Sequence, residues 1–330
     1  MTNHDIWVFV QTDENGVKKG SLELLGKGRE IAEKLGGTLT AVAVGADNRE
    51  AVRMAGLYGA ARVISVTGPE YAKFSADAYG AAFTALIRKY DPEAILLGGD
   101  NHCKDLGGKL STRFRTGLVS ECTDVLVEEG GKLAWGRPAF SGKLQTKITM
   151  ETRPQLGSIG AGIFASGAPD PANSPEVIEE NIPTPAEAIR TKILEVVADA
   201  ALAEDSLDNA QIIVAGGAGL GSAEGFKPLY ELAAVLGGSV GASKIAVDNK
   251  WIDVDRQVGI TGHVVSPRIY IACGISGANA HTAGMKNAGV IIAVNSDPAA
   301  PIFNIANYAL VGDLFEIVPA LTEEIRKVKG

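Results

Sequence analysis

Apolar and polar positions along the first hundred residues form two alternating kinds of block. Ile6–Val10, Thr40–Val44, Arg62–Val66 and Ala94–Gly98 are short, nearly continuous apolar runs, the pattern of strands buried on both faces. Between them, Ser21–Leu35 carries Leu22, Leu25, Ile31 and Leu35 at near-helical spacing and closes on Gly36-Gly37, while Arg49–Leu57 and Phe74–Tyr90 also read as helices. Strands alternating with helices, joined by right-handed crossovers, predict a parallel sheet covered on both sides. No phosphate loop occurs in this part, and Gly98-Gly-Asp-Asn101 reads as a turn at a strand end.

The pattern then changes. Asp105–Arg115 reads as a helix, and alternating runs at Thr123–Val127, Leu133–Trp135, Lys143–Thr149 and Gln155–Ile159 predict an antiparallel extension. From Ser166 to Pro185 the chain is polar and acidic, with Pro169, Pro171, Pro175, Pro183 and Pro185; it cannot sustain a helix and reads as surface wrapping and linker. Ala186–Glu195 is expected to return towards the core. A second polar connection, Leu202–Asn209, places a hinge near residue 205 and divides the chain into residues 1–204 and 205–330.

The second part is organised around Ile269-Tyr-Ile-Ala-Cys-Gly-Ile-Ser-Gly-Ala-Asn-Ala-His281, which reads as a buried strand, a glycine turn and a helix start. Ser276 is placed to cap that helix, with His281 about one turn beyond, and the free N–H groups of such a turn suit an anion or an electron-rich ring edge. Gln211-Ile-Ile-Val-Ala-Gly-Gly-Ala-Gly-Leu-Gly-Ser222 precedes it as another strand and turn. Gly289-Val-Ile-Ile-Ala-Val-Asn-Ser-Asp-Pro298 follows as a third. At the end, Asp313 is placed to cap a helix bearing Leu314, Ile317, Leu321 and Ile325, which Pro319 should kink or whose first turn it should mark.

Composition narrows the class. The chain has 330 residues, 46% of them hydrophobic and 40 of them glycine, which suits two α/β domains rich in small packing residues. A formal charge of −8 with scattered cations gives no footprint for nucleic acid. Cys103, Cys122 and Cys273 lie far apart and read as buried thiols, and no run reaches the length of a membrane span. A soluble cytoplasmic protein without stable membrane insertion is expected. Ser276 and His281 lack an acidic partner for a nucleophilic triad, the four His are dispersed, and Gly216–Gly221 misses the dinucleotide spacing.

Taken together in order, these segments and three more, Gly241-Ala-Ser-Lys-Ile-Ala-Val-Asp248, Gln257-Val-Gly-Ile-Thr-Gly262 and Ala306–Phe315, resemble the FAD-binding domain of the electron transfer flavoprotein alpha subunit. Lys104, Asp105, Leu106, Arg113 and Gly117–Thr123 echo phrases of the same family, so the resemblance extends over nearly the whole chain. It implies a C-terminal Rossmann-like FAD-binding domain, following the N-terminal parallel-sheet domain with its antiparallel extension, whose alternating pattern is a layout also used by nucleotide-binding modules of the universal-stress type. It also implies which residues hold FAD: Ser243 and Lys244 over the flavin; Val258, Gly259, Ile260 and Thr261, with the Thr hydroxyl at N5; Ser276, Gly277, Ala278, Asn279, Ala280 and His281 around the ribityl chain, phosphates and O2; and Asn295, Asp313 and Leu314 on the adenosine side. The implied partners are a beta subunit in a heterodimer, acyl-CoA dehydrogenases or related flavoenzymes, and a quinone reductase or ferredoxin system. Electron bifurcation depends on the second nucleotide site in beta.

Where the family has Arg, Ala218 and Lys244 stand here; Ile260 and Ala280 replace Gln, and His263 stands where Lys is common. A rival of another class is a non-redox nucleotide-binding module with a degenerate flavin site.

Overall fold

The computed structural model describes residues 4–140, 144–191, 193–194, 207 and 210–329. The chain forms two compact units, Met1–Ala139 with Leu144–Glu195, and Phe140–Lys143 with Val196–Gly330. The expected hinge near residue 205 falls outside the described residues.

In the first unit, β1 (Asp5–Phe9) leads through a small hairpin, β2 (Thr12–Asp13) and β3 (Gly16–Val17), into α1 (Lys19–Leu35). Then come β4 (Thr38–Gly45), α2 (Arg49–Leu57), β5 (Arg62–Thr67), α3 (Ala76–Tyr90), β6 (Ala94–Gly98), α4 (Asn101–Phe114), β7 (Leu118–Cys122), β8 (Asp124–Val127), β9 (Leu133–Ala139), β10 (Leu144–Thr149), β11 (Gln155–Ile159) and β12 (Glu176–Glu180). Seven strands make one parallel sheet in the order β12-β5-β4-β1-β6-β11-β7. Alternate residues of β1 feed two cores: Ile6 and Val8 pack with α1, and Trp7 and Phe9 pack with α3 and α4. The turn after β6 is a satisfied one, with the Asp100 carboxylate accepting from the Cys103 N–H (2.9 Å), Lys18 Nζ (2.7 Å) and Gln11 Nε2 (2.9 Å).

Two expectations are corrected. Gln155–Ile159 is not antiparallel: β8, β9 and β10 form a separate antiparallel sheet, while β11 enters the parallel sheet between β6 and β7. All five of its residues are buried, and Gly157 leaves room for the fully buried Trp135 ring, whose Nε1 donates to Gln155 Oε1 (3.0 Å). Within the supposed linker, Glu176–Glu180 is a sheet edge strand. Its charges conceal the strand pattern but suit an edge, where Arg62 pairs with Glu176 (3.1 Å) and Lys89 with Glu180 (2.6 Å). The final helix starts at Leu314 and runs through Pro319, so Pro319 does not mark its first turn. The segment after β12 does return to the core, through Ile182 and Ile189. Cys103, Cys122 and Cys273 are free and buried.

The second unit contains β13 (Ile212–Gly216), α5 (Lys227–Leu236), β14 (Ser239–Ala242), α6 (Lys244–Asp248), β15 (Ile269–Cys273), α7 (Asn279–Thr282), β16 (Val290–Asn295), β17 (Tyr308–Val311) and α8 (Leu314–Lys329). Its strands are all parallel, in the order β14-β13-β15-β16-β17. Helices α5 and α8 cover one face through Leu229, Leu232 and Val318. The other face is covered by loop residues, among them Val258, Val265, Ile275, Met285 and Ile302, packed on Ile213, Ala215, Tyr270 and Ala272.

The two kinds of glycine in the first unit differ in consequence. A Cβ on Gly157 would overlap the Trp135 ring, so Gly157→Ala should cost about 3 kcal/mol or more. Gly108, exposed inside α4 with nothing within 4 Å, should gain about 0.5–1 kcal/mol as Ala. Urea-unfolding midpoints of the two variants check this; equal midpoints would show that the Trp135 packing tolerates a methyl group.

Candidate functional site

Strands of a parallel sheet all end along one edge, so segments far apart in sequence are brought into a row there. Ser243 follows β14 directly, Ser276 lies three residues beyond β15, Asn295 is the last residue of β16, and Asp313 lies two beyond β17. With β13 first in the chain, the sheet order makes the gap between β13 and β15 the point where the connections diverge, the usual ligand position in such sheets. The two turns meet there: Gly217 N–H donates to the Cys273 carbonyl and Gly219 N–H to that of Gly274, each at 3.0 Å. A Cβ on Gly219 would lie 2.7 Å from Gly274 Cα, and one on Gly274 would lie 2.9 Å from Leu314 Cδ2. Ser243 N–H is tied to the Gly216 carbonyl (2.9 Å).

A second junction joins the 257–265 loop to the segment after β15. Val258 N–H donates to Ala242 (2.8 Å), His263 N–H to Gln257 (2.7 Å), Gly259 N–H to His263 (3.0 Å), Ile260 N–H to Ala280 (2.9 Å) and Val265 N–H to Gly284 (2.7 Å), in each case to the carbonyl. Gly259 has φ 146°, and a Cβ on Gly284 would lie 2.5 Å from Gly259 Cα. This close approach sets Thr261, which is exposed, in the same junction as His281, which is buried. At its other end the segment is held by Ile302 N–H donating to the Ser276 carbonyl (3.0 Å), beside Gly277 at φ 89°.

Ser276 does not cap the helix. α7 begins at Asn279 after an uncapped Ala278, and it is only four residues long; Ser276 is exposed and offers its carbonyl to Ile302. Ala278, Asn279 and Ala280 are exposed, at the end of a helix whose first N–H groups have no intrahelical acceptor. His281 stands with Nε2 3.0 Å from the Tyr270 hydroxyl, and Nδ1 makes no hydrogen bond of ordinary geometry. Burial drives its pKa down to about 4, outweighing the Val258 backbone, so the imidazole is neutral. It therefore supplies hydrogen bonding and no positive charge at neutral pH.

Lys244 is exposed, and both carboxylate oxygens of Asp248 lie 2.7 Å from its Nζ. Asn295 is committed to the backbone: its Nδ2 donates to the Ile275 carbonyl (2.9 Å), and its Oδ1 accepts from the Asp297 N–H (3.0 Å). Asp313 caps α8 as expected, accepting from the Phe315 N–H (2.8 Å), and Leu314 reaches Gly274. The structure thus draws Val258–Thr261, Ala280 and His281 into one junction and Asn295 and Leu314 against the turn after β15. Lys244 is directed to its own helix. Two residues with site contacts lie in segments the sequence singles out but carry no site role there. Gln257 precedes Val258 and donates from Nε2 to Thr261 Oγ1 (2.9 Å), and Tyr270, in an apolar strand, meets His281. The signals for the first were its place at the head of the Gln257–Gly262 segment and its polarity within a closed glycine loop.

Comparison with known proteins agrees with this organisation. Residues 6–185 match the model of the electron transfer flavoprotein domain, and residues 206–286 match that of the electron transfer flavoprotein FAD-binding domain. The chain is 40% identical over 326 residues to the electron transfer flavoprotein subunit alpha of Thermoanaerobacterium thermosaccharolyticum, covering 98% of each chain. It is 42% identical over 328 residues to that of Clostridium acetobutylicum (97% of this chain, 96% of the relative) and 37% identical over 330 residues to Protein FixB of Rhizobium meliloti (98% and 93%). Both domain models in sequence order, and relatives matched nearly end to end, lead to one conclusion: the chain belongs to the electron transfer flavoprotein alpha-subunit family.

Proposed function

We propose that this chain is the FAD-bearing subunit of a heterodimeric electron carrier, with a beta subunit completing the complex. Acyl-CoA dehydrogenases or related flavoenzymes are the donors in this reading, and a quinone reductase or ferredoxin system is the acceptor. The observation that carries it is the backbone-clamped junction of the Thr261 loop with the His281 segment, inside the stretch that matches the FAD-binding domain model. The second unit is read as a Rossmann-like domain on the strength of its five parallel strands. No helix among the described residues is long and apolar enough to cross a membrane, and the proposed setting is the cytoplasm.

Three features fit a flavin dinucleotide. The turns at the strand ends are glycine backbone packed too closely for side chains, His281 Nδ1 is a buried polar atom with no hydrogen bond of ordinary geometry, and polar groups of Thr261, Ser276 and Asn279 lie exposed beside them. Bound FAD supplies reversible acceptance and release of electrons. The chain would hold and orient it. Thr261, with Val258, Gly259 and Ile260, would meet the ring edge; Ser276–Ala280 would offer backbone N–H groups to ribityl and phosphate oxygens; Ser243, Asn295, Asp313 and Leu314 would line the remaining length. Lys244 adds a mobile point charge, because an exposed ion pair such as that with Asp248 is worth about 0–1 kcal/mol and yields readily.

The absorption spectrum of the purified pair, produced together with its beta counterpart, tests this. Flavin bands near one per heterodimer are expected; a colourless pair carrying only an adenylate would sink the proposal. The neutral imidazole gives a second expectation. Because the folded pKa of His281 lies below the ordinary 6.5, protons bind the unfolded chain more readily. The stabilisation is complete above pH 6.5 and is lost as pH falls towards 4, amounting to about 3 kcal/mol. Urea titrations from pH 7 to pH 4 should show this loss in the wild type and not in His281→Gln; parallel losses would mean that the imidazole is not buried neutral.

A further inference from the structure

Resting on the flavin reading above, we infer that Gln257 is a positioning residue that fixes which way the Thr261 hydroxyl points its proton. Gln257 is 6% exposed and lies outside the segment that meets the ring. Its backbone is pinned by its own N–H donating to the Val254 carbonyl (3.0 Å) and by its carbonyl accepting from His263 (2.7 Å). Its side chain turns back inside the closed loop, and Nε2 donates to Thr261 Oγ1 at 2.9 Å.

A hydroxyl has one proton and two lone pairs. The Gln257 amide N–H occupies a lone pair and cannot take the proton. No acceptor among the described residues takes it either, and Thr261 is exposed. The loop therefore presents an outward O–H donor. Such a donor satisfies an unprotonated ring nitrogen or a carbonyl and leaves a ring N–H unsatisfied. Gln257 thus makes the site selective for the protonation state of the cofactor atom facing residue 261. It does so without touching that atom.

The experiment uses the heterodimer, with Gln257→Leu to remove the bond and Gln257→Glu to reverse it, since a carboxylate accepts the Thr261 proton and turns it inward. Each is made with Thr261 present and in a Thr261→Val background. The readouts are the FAD dissociation constant, from flavin fluorescence, and the position of the long-wavelength flavin absorption band. With Thr261 present, Gln257→Leu should weaken FAD binding about 3–10-fold and Gln257→Glu about tenfold or more, with a shifted band. In the Thr261→Val background neither should matter by more than about twofold, because the effect runs through the hydroxyl. Thr261→Ser, which keeps the hydroxyl, should restore sensitivity to Gln257→Glu, and this arm guards against a general collapse of the loop. Equal effects in the Thr and Val backgrounds, or no effect of Gln257→Glu beside Thr261, overturn the role of Gln257 while leaving the flavin reading intact. A wild-type pair that binds no FAD overturns both.

Discussion

The candidate site depends on one close contact, the packing of Gly259 against Gly284 with no room for a side chain at either position. Gly259 combines a positive φ with backbone neighbours on the Ala280 carbonyl side, and Gly284 lies directly over its Cα. An alanine at Gly259 would be strained and crowded at once. Because the two backbones meet, the hydrogen bond from Ile260 to Ala280 and that from Val265 to Gly284 can both form, and a loop becomes as well positioned as a sheet element. The polar residues in this junction are carried by that backbone scaffold.

Around this contact the site's electrostatics are mild. The imidazole of His281 is neutral through burial, and the Lys244 charge is balanced by Asp248 at the surface. Two of the site's polar side chains are held from behind, His281 by the Tyr270 hydroxyl and Thr261 by the Gln257 amide. Side chains that the resemblance implies as cofactor contacts are seen here holding the protein together. Asn295 clasps the turn after β15, and Asp313 caps α8.

The first unit shows a related economy. Its parallel sheet gains β11 at an interior position because Gly157 admits the Trp135 ring, and Gln155 satisfies the indole N–H. A buried tryptophan from the antiparallel sheet thereby keys that sheet to the parallel one. At the opposite edge, β12 carries Glu176 and Glu180, which are paired to Arg62 and Lys89. Charge on an edge strand discourages further pairing there.

The amino-acid sequence by itself determined the elements whose signal is local. The alternation from β1 to β6 follows from apolar runs and helical spacing, α2 begins and ends where that spacing does, and the glycine turns after β13 and β15 mark where backbone approaches backbone. Asp313 as a cap and the buried thiols were legible for the same reason. What only the tertiary structure decided depends on partners distant in the chain. Gln155–Ile159 has no local feature that separates a parallel from an antiparallel strand, and its placement comes from β6, β7 and Trp135. Glu176–Glu180 reads as linker because its strand character rests on pairing with β5. Ser276 has the composition of a cap, but its carbonyl is claimed by Ile302, and the helix begins later. His281 would titrate near neutrality as a free side chain; burial under the surrounding segments lowers its pKa to about 4 and keeps it neutral into mild acid, because desolvation is a property of the assembled surroundings and not of the residue.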